Sequence, residues 1–277
     1  MEFTDRKFGV EIEFLAHNAN GHITLEEVAR ALQAAGVDAR DEQYNHITQS
    51  YWKLITDASC GYELVSPVLS GKEGLAEIKK ACDVLVNVVK AKVDKFCGLH
   101  VHVNAIDLNK QEIGRIFYAY AKYEKVFDSF MPESRRGSNN IYCKSLSRIW
   151  EEMASSKRMH NKLFSNPIKF YDDHIGSRYY KFNLAAYVKH GTVEFRQHSG
   201  TIEAEKIINW VVLLVGFVEK ARIAHASKGN NNETFAKFVE WLNLRDNARE
   251  EIIRNCSKYL KSRFQQFNPD ASHFSLL

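Results

Sequence analysis

No stretch of this sequence is apolar for long enough to cross a bilayer. The longest, Ile207 to Val218, carries Asn209 inside it and predicts a buried helix instead. Charge of one sign is equally scarce. A formal net charge of +4, a pI near 8.6 and the lack of any block of like charges argue against a nucleic-acid-coating surface. The five cysteines are an odd number without C-x-x-C spacing, which points to a reducing, cytoplasmic home rather than a disulfide scaffold. Glu2 and Asp5 precede an immediate strand, so neither a signal nor a transit peptide is expected. What is present is 277 residues, 45% hydrophobic and 12% aromatic, ample for the core of one large soluble domain or two small ones.

The most informative stretch is Gly9-Val10-Glu11-Ile12-Glu13-Phe14. In a strand its period of two sends Glu11 and Glu13 to one face and Val10, Ile12 and Phe14 to the other. A lone Glu-x-Glu is ordinarily an edge strand whose acids meet water. Near a low-dielectric sheet, however, such carboxylates stay ionised only with a cation or a cationic side chain between them, which makes a metal the first thing to look for. Three further strands offer matching groups. Gly61 to Ser66 carries Glu63 and pairs with Tyr51 to Thr56 across an Asp57-to-Cys60 turn, with Pro67 closing it. Gly98-Leu99-His100-Val101-His102 sets two imidazoles on one face, behind a glycine that permits close approach. Gly191 to His198 puts Glu194, Arg196 and His198 together, and it reads as a hairpin with Arg178 to Leu184 whose turn is near Lys189-His190-Gly191.

Helices fill the intervals. Asn18 to Gly21 is turn chemistry; Thr24 with Glu27 and Ser70 with Glu73 are capping boxes, and Asn109 with Glu112 caps a long helix that buries Ile113, Ile116, Phe117, Tyr120 and Phe127. Asp38 to Gln49 is polar and carries little signal. Met131 to Cys143 is turn-rich and holds Arg135 and Arg136, whose forked guanidinium groups are either solvated or grip phosphate or carboxylate. A weak helix over Ser145 to Leu163 and an irregular segment to Gly176 follow. Two amphipathic helices lie beyond Asn232, with no active-site-type cluster on them. Written out, strand, helix, strand, strand, helix occurs twice. Glu11 and Glu13 in the first unit answer to His100 and His102 in the second, and Glu63 answers to Glu194. The fold class this predicts is α+β, one curved antiparallel sheet from two β-α-β-β-α units with helices on the apolar face and the site on the other. Residues 1–227 would form this domain, with 228–277 a helical extension packed on it.

The Gly9–Phe14, Gly61–Pro67 and Gly98–His102 segments, Arg178-Tyr179 with Asn183, and Thr192–Arg196 with Gly200-Thr201 together resemble the amidoligase family. That family is a branch of the carboxylate-amine ligase superfamily, which includes glutamine synthetase and glutamate-cysteine ligase. The resemblance covers roughly residues 8 to 202, and the Arg135-Arg136 loop with Asn139, Tyr142 and Cys143 also fits. It implies a glutamine synthetase-like catalytic fold and ATP-dependent amide formation, in which a substrate carboxylate becomes an acyl phosphate and an amine displaces phosphate. ATP with Mg²⁺ or Mn²⁺ would be required, and the partners would be small-molecule or peptide carboxylates and amines.

By motif position, the resemblance puts Glu13 and Glu63 on one metal and Glu11, His100 and Glu194 on another. His102 would approach the nucleotide phosphates and Arg196 the transferred phosphate. Arg135, Arg136 and Arg178 would serve the substrate carboxylate or acyl phosphate. A further metal-binding glutamate of glutamine synthetase has no counterpart here beyond nearby Asp57. Two other readings stay open: a two-metal hydrolase that cleaves amides without nucleotide, and a non-catalytic ligand-binding homologue.

Overall fold

The computed structural model describes residues 1–18, 21–58, 60–225 and 233–270. The expected turn at 18–21 and the expected boundary at 227/228 fall on or beside residues outside that set. In chain order the first elements are β1 (Phe8–Phe14), β2 (His17–Asn18), β3 (Gly21–His22), α1 (Leu25–Ala34), β4 (Ala39–Asp41), β5 (Trp52–Asp57), β6 (Gly61–Val65), α2 (Gly71–Asn87), β7 (Gly98–Asn104) and α3 (Lys110–Ser129). Then come α4 (Ser147–Ser155), α5 (Lys157–Ser165), α6 (Pro167–His174), β8 (Phe182–Asn183), α7 (Ala185–His190), β9 (Thr192–Ser199), α8 (Ala204–Ile223), α9 (Phe235–Leu242) and α10 (Glu251–Phe267). Seven strands form one open, mostly antiparallel sheet in the order β4-β5-β6-β1-β7-β9-β8, and β2 and β3 pair apart from it. Each half of the expected repeat keeps the same internal order, β1-β6-β5 in one and β7-β9-β8 in the other. No helix among the described residues is long and apolar enough to cross a membrane.

The chain divides into two compact units, one of residues 5–102 with 198–211 and one of residues 1–4, 103–197 and 212–277. We call them the acidic and the aromatic unit. In the acidic unit, alternation along β1 buries Val10, Ile12 and Phe14. The helix α1 packs on β4 and β5 through Val28, Ala29 and Leu32, and its N-terminus shows both bonds of the capping box. The second expected box does not form: Ser70 makes no capping bond through its side chain. Gly71, the first helical residue, takes φ +60 and turns the chain off the path that lines an N-cap hydroxyl with the next amides. β4 lies parallel to β5, a departure from the all-antiparallel expectation, because residues 42–51 carry the chain back along the sheet instead of reversing it. Cys60 and Cys97 are joined as a disulfide across 37 residues, a pairing with no local spacing motif, while Cys82, Cys143 and Cys256 are free and buried.

The aromatic unit is built on α3, where Phe117, Tyr120 and Phe127 meet Phe182, Phe195, Phe217 and Phe238 with ring centroids 5.1 to 6.3 Å apart. Two expectations fail here. The segment before Gly176 is the helix α6, begun by an Asn166 side chain that accepts from the Lys169 amide, with Pro167 in the first turn. β8 and β9 are antiparallel, but a six-residue helix, α7, connects them in place of a tight turn, and Gly191 ends it at φ +66.

Beneath β8 and β9 lies a polar network. Lys181, 0% exposed, reaches Glu124 Oε1 at 3.1 Å and Asp128 Oδ1 at 2.6 Å. Glu124 also accepts from the Leu146 amide at 2.6 Å and from Ser145, although burial still lifts its carboxyl above the usual range against the Lys181 charge. Removing one partner of a buried ion pair strands the other. Lys181→Met is therefore expected to destabilise the aromatic unit by about 3–5 kcal/mol in urea unfolding; a loss under about 1 kcal/mol would contradict this account of the network.

Candidate active site

The acidic unit gathers its carboxylates by register. β1 and β6 are antiparallel with Glu13 opposite Glu63 and Glu11 opposite Val65, so directly paired residues share a face and two acids confront each other. Both are buried, at 5% and 8% exposure, where like charges repel most. Glu13 is partly compensated by the Gly98 amide, which donates to its Oε2 at 2.6 Å. A Cβ at Gly98 would stand 3.0 Å from His100 Nε2 and 3.5 Å from Glu13, so the glycine is what lets the backbone reach the carboxylate. The imidazoles arrive on alternate residues of β7. His100 sets Nδ1 2.9 Å from Glu11 Oε2 and Nε2 3.7 Å from Glu13 Oε1, and His102 Nε2 lies 3.2 Å from Glu11 Oε1.

The two ends of this cluster are driven in opposite directions. Burial pushes the Glu11 carboxyl up, but the hydrogen bonds and charges of His100 and His102 outweigh it and hold the group well below the usual range. Glu63 is pushed well above that range, first by burial and then by the charges of Glu11, Glu13 and Asp57. Asp57 is on the same face, since Ile55 opposes Glu63 in the β5–β6 register. The protonated form of Glu63 is thereby favoured more than in a free glutamate, and a cation between the facing carboxylates would favour the ionised form.

Donor atoms of Glu13, Glu63 and His100 lie within 4.8 Å of one another. Two carboxylate oxygens and one imidazole nitrogen suit Mg²⁺ or Mn²⁺ better than a closed zinc site, which draws on sulfur and several imidazoles. The residues therefore fit a divalent ion, and the other nitrogen of His100 faces Glu11 Oε2 at 2.9 Å.

One member of this face was not singled out in the sequence. Lys53 opposes Val65, in the same row as Glu11, and is 3% exposed. Its ammonium donates to Asn45 O and Oδ1 at 3.0 Å and to Ile47 O at 2.9 Å, clipping the 42–51 loop to the acid-bearing face, and burial lowers its pKa. A lysine inside the apolar run Trp52-Lys53-Leu54-Ile55 is the signal by which it could have been found. His198, in contrast, bonds the Ser199 carbonyl at 2.7 Å and packs its ring 5.1 Å from that of Trp210.

The aromatic unit holds the arginines. Glu194 lies opposite Asn183 in the β8–β9 register, accepts from its Nδ2 at 2.6 Å, and pairs with Arg196 Nη1. Arg196 also donates to Tyr142 O at 3.4 Å, and its guanidinium lies 6.0 Å from the Tyr179 ring. Arg178 is exposed and sits 5.1 Å from the same ring, while Tyr142 and Tyr179 meet edge-on at 5.5 Å. Arg135 is buried beside Cys143, whose thiol is pushed up by burial, and its carbonyl accepts from Gln197 at 3.3 Å. Arg136 turns elsewhere. It donates to Met131 O at 2.8 Å and Phe267 O at 3.3 Å, tying the loop to the end of α10.

Together these features define a mixed α/β protein with a carboxylate–imidazole cluster in one unit and a glutamate–arginine–tyrosine cluster in the other. A family model described as "Putative amidoligase enzyme" matches residues 4–218, and the chain belongs to that family. The family description is that of an amide-forming ligase. No curated protein matches the chain.

The Glu63 proton makes stability depend on pH. A carboxyl whose folded pKa is raised binds more protons folded than unfolded, so its contribution is full below the ordinary value of 4.5 and is lost as pH rises through the folded value. In chelator-treated protein, the melting temperature should fall as pH climbs from about 5 toward neutrality. Mg²⁺ or Mn²⁺ should restore it, most at the higher pH. Glu63→Gln should flatten both responses, and an unchanged pH slope in that variant would contradict the assignment.

Proposed function

We propose that this chain is an ATP-dependent carboxylate-amine ligase that forms an amide through an acyl phosphate. The observation that supports it most is the face-to-face burial of Glu13 and Glu63 beside His100, an arrangement a divalent cation would neutralise, on the motifs of an amidoligase family. In this reading Glu13 and Glu63 hold one ion, and Glu194 joins Glu11 and His100 on a second, as the family resemblance implies. When bound, the ions neutralise triphosphate charge and the charge that develops on the transferred phosphoryl group.

The chain's own residues account for the rest. His102 approaches the nucleotide phosphates, with Glu11 fixing its ring. Arg196, held by Glu194 and the Tyr142 carbonyl, presents a fixed guanidinium to the phosphoryl oxygens, so little reorganisation is needed as charge builds there. Arg178, exposed beside the Tyr179 ring, and Arg135 serve the substrate carboxylate or its acyl phosphate. Arg136 joins them only if its bonds to Met131 and Phe267 open. A glutamine synthetase-like curved sheet belongs to the same proposal.

Incubation with ATP, Mg²⁺ and a metabolite extract should yield, by mass spectrometry, a species that combines two components with loss of water. Glu11→Gln should cut ATP turnover by at least about 100-fold without changing the circular dichroism spectrum, and Arg196→Ala should lower kcat more than it raises the nucleotide KM. Amide hydrolysis that proceeds without nucleotide would overturn the ligase reading. An Arg196→Ala effect confined to nucleotide affinity would overturn the role of that side chain.

A further inference from the structure

We propose that the Cys60–Cys97 disulfide is a redox-controlled clasp on the cation site of the acidic unit, closed in the form that holds the ion tightly and open in a form that holds it weakly. The inference rests on the cation reading above and concerns the regulation of that same site. Cys60 immediately precedes β6, which brings Glu63, and Cys97 immediately precedes β7, which brings His100. These strands are not neighbours, because β1 with Glu13 runs between them. The bond therefore ties together, over a Cα separation of 5.1 Å, the two strands that flank β1. It does so at the end of β1 where Phe14 opposes Tyr62 and Glu13 receives the Gly98 amide.

The two cysteines are anchored differently. The Cys97 carbonyl accepts from the Gly200 amide at 2.8 Å, and a Cβ at Gly200 would stand 2.5 Å from the Cys97 Cβ, so the backbones pack directly. Asp94 Oδ1 takes the Phe96 and Cys97 amides at 2.8 and 3.2 Å. On the other side, the Cys60 amide donates to Asp57 Oδ1 at 3.0 Å, and Gly61 follows at φ +109, a conformation that residues other than glycine rarely adopt. Closing the bond ties the start of β6 to the Cys97 backbone that Gly200 and Asp94 hold, and so adds to the β1–β6 register in keeping Glu63 and His100 close about Glu13. Opening it lets the repulsion between Glu13 and Glu63 spread the donors, and a cation must then order them again at a cost in affinity.

The chemistry balances as thiol–disulfide exchange. The thiolate of a small thiol attacks the Cys60 sulfur, which keeps 5% exposure where Cys97 has none. The S–S bond breaks, Cys97 leaves as a thiolate and takes a proton, and a second thiol releases Cys60 with formation of a small-molecule disulfide. Closure is the reverse, with a small-molecule disulfide as the two-electron oxidant. Linkage requires the ion to favour the closed form by the same factor that closure favours the ion.

The test is Mn²⁺ binding by the full chain, measured by titration calorimetry on the disulfide form and again after reduction with a dithiol. The Kd should rise about tenfold on reduction, and Cys60→Ser should match the reduced form and ignore the reductant. In glutathione buffers, thiol alkylation read by mass spectrometry should show the midpoint of the pair becoming about 30 mV more negative under saturating Mn²⁺, the same tenfold expressed for a two-electron couple. Equal Kd in both states, tighter binding after reduction, an unmoved midpoint or a failure of the bond to form would each overturn the clasp. If Mn²⁺ binds neither form and Glu63→Gln behaves as the parent protein, the cation reading itself falls.

Discussion

Two carboxylates held face to face out of water, Glu13 and Glu63 across the β1–β6 ladder, set the terms for the acidic unit. A sheet built only for stability would not place like charges there, because directly opposed pairs of one sign oppose strand pairing. Glu11 and Asp57 add to that repulsion, and other neighbours offset part of it. The Gly98 amide reaches Glu13, His100 sits between Glu11 and Glu13, and the raised pKa of Glu63 favours its neutral form. Strain of this kind concentrates at binding sites, since a bound ion would supply the stabilisation missing from the free fold.

The aromatic unit solves its charge problem in the opposite way. Lys181 is wholly buried but already satisfied by Glu124 and Asp128, and Arg196 is already satisfied by Glu194 and the Tyr142 carbonyl. These two cations are neutralised by the unit's own carboxylates. What the unit offers instead is guanidinium groups held at fixed points beside Tyr142 and Tyr179, which is suited to an anion that develops charge during a reaction. The Lys181 network fixes the arginine loop from below, since Gly137 donates to Asp128 at 2.9 Å and Gln197 to the Arg135 carbonyl.

Much of this was legible in the chain itself, and the reason is periodicity. Alternation over Val10–Phe14 and over Leu99–Val103 told which side chains share a face, and the Thr24 and Asn109 boxes appear with both of their bonds. What stayed hidden depended on local detail or on distance. The Asn166-Pro167 pair is a helix-start signal that the polar surroundings of α6 obscured, and a short helix between β8 and β9 was concealed by the turn-like Lys189-His190-Gly191. Ser70 has the residue type of a cap without its geometry, because Gly71 bends the entry. Lys53 and the Cys60–Cys97 bond needed tertiary neighbours, the loop carbonyls in one case and a strand two places away in the other. Of the site residues, the acids and imidazoles follow from strand alternation. The bonds of Arg136 to Met131 and Phe267 do not, since they depend on where α10 ends.

The most direct test of the account is anomalous scattering from a crystal soaked in Mn²⁺. The account predicts a peak at coordination distance from Glu13, Glu63 and His100 that disappears in Glu63→Gln. Manganese bound elsewhere, with Glu13 and Glu63 still facing each other without an ion, would contradict it.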